Sequence, residues 1–133
     1  MNESEIINLP KIEDDRGNLS FLEGANHIPF EIKRVYWIYD VPGGETRGGH
    51  AFRASCEFII ALSGSFDVAL CDGQKESRYH LARGYYGLYV PKLVWRSMEN
   101  FSTNSLALIC SSTSYHDDDY LRDFNEFKGL THE

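Results

Sequence analysis

Apolar and polar residues alternate in short runs along nearly the whole chain. Glycine, proline and aspartate bound the runs, which is the pattern of half-buried β-strands joined by turns. A β-compatible run at 17–23 comes first. The stronger segment KRVYWIYD at 33–40 follows, dense in aromatic and β-branched side chains and closed by Pro42-Gly43-Gly44. Strands are predicted next at 46–53, 57–63 and 65–70; the Ser63-Gly64 corner separates the last two, and Asp72-Gly73 is a hairpin signal. Further strands at 77–81, 87–90, 94–100 and 105–110 bring the total to about nine or ten, at the spacing of a sandwich or barrel. Only HDDDYLRDFNEF breaks the pattern: its acids suit a helix amino terminus, and Tyr120, Phe124 and Phe127 fall on one helical stripe. A terminal helix over 116–129 is therefore expected to dock on a β body spanning 1–115.

The 133 residues, 42% of them hydrophobic, suit a single domain with one core and one principal pocket. Neither a repeat nor a low-complexity tract interrupts them. Cys56, Cys71 and Cys110 show no paired spacing, so neither a disulfide framework nor a zinc knuckle is indicated and a reducing cytoplasm fits best. The segment MNESEIINLPKIEDD has acids where a secretory signal carries a basic flank and an apolar core. No run approaches the roughly twenty apolar residues of a membrane span. A formal charge of -7 argues against nucleic-acid binding, which relies on a basic surface to displace counterions. A small anionic ligand needs only a few local cations, and Arg34, Arg47, Arg53 and Arg96 all lie in or beside strand-like segments. Each of them is equally readable as a solvated surface arginine.

The candidate chemistry concentrates in GETRGGHAFRASCEFIIALSG, residues 44–64. This segment resembles the first cupin motif, which runs glycine, five residues, His-x-His, three or four residues, glutamate, six residues, glycine. Gly44, His50, Glu57 and Gly64 stand in place, with Phe52 at the second histidine position. GYYGLYVPKLVWRSMEN resembles the second motif through Pro91 and Asn100, with Arg96 where a histidine is usual. The resemblance implies an all-β, antiparallel jelly-roll sandwich. A cupin metal site uses four protein positions, of which only His50 and Glu57 keep a suitable residue here, and Arg96 puts a fixed positive charge where a divalent cation would sit. No metal and no other cofactor is expected. Strand alternation sends residues 50 and 52 to the same side, so Phe52 should share the cavity with His50. An imidazole can act as a general base at neutral pH, and arginines nearby favour an anionic ligand or a developing enolate. On spacing alone, a structural histidine is an equal reading.

A longer set of motifs shifts that balance. DDRGNLSFLEG, IPFEIKRVYWIYDVPGGETRGGHA, ALSGSFDVALCDG, GLYVPKLVW and SYHDDDYLRDFNEF occur in this order. Together they resemble the cupin-type sugar-nucleotide 3,4-ketoisomerases, which act on dTDP-4-keto-6-deoxyglucose in the biosynthesis of 3-amino-3,6-dideoxyhexoses. The resemblance implies His50, Tyr36 and Arg47 as catalytic residues, a dTDP-linked keto sugar as substrate, no metal and a homodimer. Trp95 joins Arg34, Phe52, Arg53 and Arg96 as the expected substrate-binding set. Such enzymes usually read His-Ala-His and Trp-His, whereas this chain has His-Ala-Phe at 50–52 and Trp95-Arg96. The implied reaction removes the proton at C3, next to the C4 ketone, and returns one at C4 through an enediol. Without a second histidine the return would use His50 again, or a water or Tyr36 shuttling between the substrate oxygens. Arg96 would hold the enediolate oxygen or a phosphate.

Two other functions fit the same motifs: a non-catalytic cupin that binds sugar nucleotides or carbohydrates, and a deoxysugar epimerase. The epimerase would pair its histidine with a carboxylate and use a tyrosine acid. Cys56 reads as a packing residue, and His80 in RYHLA as a strand histidine outside the pocket. His116 with Asp117, Asp118 and Asp119 reads as a helix start rather than a metal site.

Overall fold

The computed structural model describes residues 3–131. The chain runs through β1 (Glu5–Asn8), β2 (Lys11–Ile12), β3 (Leu19–Ser20), β4 (Arg34–Tyr39), β5 (Arg47–Phe52) and β6 (Glu57–Ser63). It continues through β7 (Phe66–Cys71), β8 (Glu76–Leu81), β9 (Tyr86–Val90), β10 (Trp95–Glu99), β11 (Leu106–Ser111), β12 (Tyr120–Leu121) and helix α1 (Phe124–Thr131). The strands build two five-stranded sheets, ordered β1-β9-β6-β11-β4 and β12-β5-β10-β7-β8, with β2 and β3 forming a small separate ladder. Every strand pair is antiparallel, as in a jelly roll.

Between the sheets lies the main core, supplied by both: Ile59, Leu88, Val90 and Ile109 from one, Phe66, Val68, Leu81 and Met98 from the other. Burying each such side chain stabilises the fold by about 1.5–3 kcal/mol. β6 is buried on both faces, because Phe58 and Ile60 point away from this core into a second cluster with Leu9, Ile28 and Tyr89. The continuous apolar run FIIA at 58–61 reflects that double burial. Among the described residues, no helix is long and apolar enough to cross a membrane.

The carboxyl-terminal segment departs from the expected single helix over 116–129. Asp117–Asp119 form a 3-10 turn, Tyr120 and Leu121 add β12 to the edge of the second sheet, and the α-helix begins only at Phe124. Backbone pairing of Tyr120 with Phe52 and of Leu121 with Ala51 outweighs the helical stripe. Nor is the acidic run merely a helix start: Asp119 is buried and accepts hydrogen bonds from the Ala54 backbone, at 2.7 Å, and from the Ser55 hydroxyl. An eight-residue helix is too short to persist alone, so tertiary packing holds α1. Phe127 is fully buried, and Trp95 meets Phe124 and Phe127 with ring centroids 5.2 and 5.7 Å apart. The early run 17–23 forms a strand only at Leu19–Ser20, and β1 arises where the polarity of the segment gave no signal.

Candidate active site

A cavity of about 280 Å³ opens between the sheets, lined by Tyr36 from β4, Arg47 and His50 from β5, Glu57 from β6, Arg96 from β10 and Tyr120 from β12. Strict alternation would send residues 47 and 50 to opposite faces, yet both line this cavity. The cause is a bulge: Arg96 pairs with His50 and Ser97 with Gly48, which leaves Gly49 as an extra residue in β5. Gly48 and Gly49 have φ of 92° and 72°, a region that suits glycine. A Cβ on Gly48 would lie 3.2 Å from the Arg96 carbonyl oxygen, so the close approach of β5 and β10 also depends on that glycine.

His50 is half-buried, and its Nε2 is a buried nitrogen with no hydrogen-bond partner among the described residues. Its ring meets Phe52 edge-on at 4.9 Å and lies 5.1 Å from Tyr120. Burial, and then the positive charge of Arg96, lower its pKa from 6.5 to about 4. The imidazole is therefore neutral at pH 7, with a lone pair available inside the cavity.

Beneath it sits a buried ion pair. Arg96 and Glu57 side chains are 2% and 1% exposed, and Arg96 Nη1 donates to Glu57 Oε1 at 2.8 Å. Arg96 Nη2 donates to the Val94 carbonyl at 3.2 Å, and the guanidinium lies 4.9 Å from the Phe52 ring centroid. The Tyr36 hydroxyl donates to Glu57 Oε2 at 2.6 Å, so each carboxylate oxygen receives one donor. Burial raises the Glu57 carboxyl above its usual range, with Arg96 as the main opposing influence. Burial and the Glu57 charge together push the Tyr36 phenol far up.

Several expected site residues lie elsewhere. Phe52 is beside His50 but fully buried behind it, outside the cavity lining. Arg53 is exposed and pairs with Glu126 on α1 at 2.9 Å, because it follows the end of β5 on the helix side. Trp95 precedes Arg96 on β10 and so faces the opposite side, where it anchors α1. Arg34 donates to the Ser111 hydroxyl at 3.3 Å and lies over the Tyr36 ring at 5.4 Å, next to the lining rather than in it. Tyr120 is a lining residue that sequence reasoning missed, having been assigned to a helix stripe. His80 lies outside the cavity, bonded to Asp67 at 2.6 Å, and Cys56 packs against the Phe58 and Ile60 cluster. Among the described residues, no three His, Cys, Asp or Glu side chains are grouped so as to hold a metal ion.

Residues 2–132 match the family model described as "FdtA: WxcM-like, C-terminal". The chain belongs to this family. A curated relative is the TDP-4-oxo-6-deoxy-alpha-D-glucose-3,4-oxoisomerase of Aneurinibacillus thermoaerophilus. It is 40% identical over 126 residues, covering 95% of this chain and 91% of the relative. Among solved structures, a 3,4-ketoisomerase from Helicobacter canadensis superposes with a TM-score of 0.95 at 36% identity, covering 100% of both chains. A mutant 3,4-ketoisomerase from Thermoanaerobacterium thermosaccharolyticum, solved in complex with TDP-4-keto-6-deoxyglucose, gives a TM-score of 0.95 at 32% identity, covering 98% of this chain and 95% of that one. Membership of the FdtA-like family puts the chain among sugar-nucleotide ketoisomerases of jelly-roll architecture.

Proposed function

We propose that the chain is a TDP-sugar 3,4-ketoisomerase that converts TDP-4-keto-6-deoxyglucose into a TDP-3-keto-6-deoxyhexose. The observation that carries this reading is the neutral His50 ring, its Nε2 unpartnered, in a cavity that also holds two phenols and two arginines. His50 takes the C3 proton; the C–H electron pair becomes the C3–C4 double bond and the carbonyl pair moves onto the C4 oxygen, giving an enediolate. Arg47 and Arg96 place positive charge on the cavity wall where that oxyanion develops. The imidazolium then returns its proton to C4 as the ketone forms at C3. An imidazole with a low pKa is a modest base at C3 but a strong acid at C4, so one ring serves both carbons. The hydroxyl proton that leaves O3 and the one that arrives at O4 pass through the Tyr36 oxygen.

The arginines supply the charge stabilisation in this scheme, and the reaction is metal-independent: turnover after exhaustive dialysis against EDTA should equal turnover before. The setting is a homodimer in the cytoplasm. Val35, Trp37 and Tyr39 project from edge strand β4 with 44, 57 and 62% exposure, an apolar stripe that supports self-association. Light scattering on the purified protein should give twice the chain mass.

The deciding experiment incubates the protein with TDP-4-keto-6-deoxyglucose in heavy water and follows C3 and C4 by NMR. The 3-keto product, with deuterium entering at C3 or C4, is expected. Nucleotide binding with neither product nor exchange would overturn the reading in favour of a sugar-nucleotide-binding protein.

A further inference from the structure

The hydrogen bonds under the cavity leave Tyr36 little choice of orientation. A phenol carries one proton, and that of Tyr36 is directed at Glu57 Oε2 across 2.6 Å. Glu57 cannot turn away, since Arg96 Nη1 holds its other oxygen at 2.8 Å and Arg96 is itself fixed by the Val94 carbonyl and the face of Phe52. Both members of the ion pair are at most 2% exposed, so water does not compete for the carboxylate. The Tyr36 oxygen accordingly offers the cavity lone pairs and no proton.

We propose that Glu57 is a positioning residue of the isomerisation: it fixes Tyr36 as a hydrogen-bond acceptor towards the substrate hydroxyl and so sets the route of the hydroxyl proton. The inference rests on the ketoisomerase reading above and assigns the carboxylate a task that reading does not contain. As the O3–H bond breaks, its proton moves onto the Tyr36 oxygen while the tyrosine's own proton moves onto Glu57 Oε2. The reverse pair of movements delivers a proton to the O4 oxyanion, so charge and atoms balance over the cycle and Glu57 ends ionised. Burial raises the carboxyl's proton affinity, which lets it hold the proton in passing, while the Arg96 charge and the Tyr36 hydroxyl oppose that rise.

Glu57→Gln tests the polarity of this arrangement at nearly constant shape. Arg96 can only donate, so it claims the amide oxygen and leaves the NH₂ facing Tyr36. The phenol must then accept from the amide and turn its proton into the cavity. Formation of the 3-keto sugar should fall about 100-fold or more, the range of a lost proton-transfer group. TDP affinity should stay within about twofold. Solvent deuterium should still enter C3 of recovered substrate, because His50 is untouched, so the ratio of exchange to isomerisation rises. Tyr36→Phe should show the same split, and the double variant should be no worse than Tyr36→Phe alone. If either single variant isomerises within about threefold of wild type, or if their losses multiply in the double variant, the proposal is overturned. A wild-type protein that neither exchanges nor isomerises would defeat the ketoisomerase reading itself, a different result. Should Glu57→Gln fail to fold, Tyr36→Phe still overturns the proposal if it isomerises within about threefold of wild type.

Discussion

Among the described residues, two clusters of histidine, carboxylate and arginine stand in contrast, one between the sheets and one outside them. In the outer cluster His80 Nδ1 lies 2.6 Å from Asp67, which also receives Arg78 at 3.1 Å and Asn100 at 3.2 Å. In the inner cluster His50 has no carboxylate partner, and the carboxylate is shared by an arginine and a tyrosine. The His-Asp pair has the more familiar look of a catalytic dyad, but its His80 and Arg78 side chains are 58 and 53% exposed and water screens them. The inner groups are desolvated, and desolvation, not pairing, is what tunes the reactive ring.

The widest test of that contrast removes each histidine in turn. His50→Asn should lower isomerisation by about 10³-fold or more while TDP still binds, measured by NMR turnover and by titration calorimetry. Arg96→Met should come next in effect, because it strands the Glu57 carboxylate in the core. An uncompensated buried charge costs about 3–5 kcal/mol, readable as a lower midpoint in urea unfolding. A smaller effect is expected in pH. His50 must be neutral to act as a base, and its pKa of about 4 keeps it so well below 6.5. The acid limb of kcat/KM should therefore lie near pH 4–5 and not at an ordinary histidine value. The sign for stability follows: between about 4 and 6.5 the unfolded chain binds this proton and the folded one does not, so the contribution falls as pH drops through that window. Smallest of all, His80→Ala should shift unfolding by less than about 1 kcal/mol and leave turnover within about twofold. A large loss of activity there would break the contrast.

Much of the β architecture was legible because alternation and turn residues are local properties of the chain. The runs at 57–63 and 105–110, and the aromatic run at 33–40, coincide closely with β6, β11 and β4. Pocket membership was harder to read. Arg53 and Trp95 carry the right side chains on the right segments, yet one lies beyond the strand end and the other on the reverse face of β10. Phe52 obeys alternation but is sealed behind His50, since β5 is covered on both sides at its end. Tyr120 was missed for a related reason: its place is set by pairing with Phe52, 68 positions away in sequence, against a local preference for helix. The bulge at Gly48 and Gly49 was written in the sequence as a glycine pair, but its effect on the direction of Arg47 appears only once β10 is alongside.

Glu57 belongs to the sheet of β6 and Arg96 to that of β10, so the ion pair under the cavity also fastens one layer of the sandwich to the other. Chemistry and cohesion thus share a single joint. Any inherited change there is felt twice, in the reaction and in the survival of the fold, and drift towards new sugars has more freedom at the half-exposed Trp37 than at the seam below.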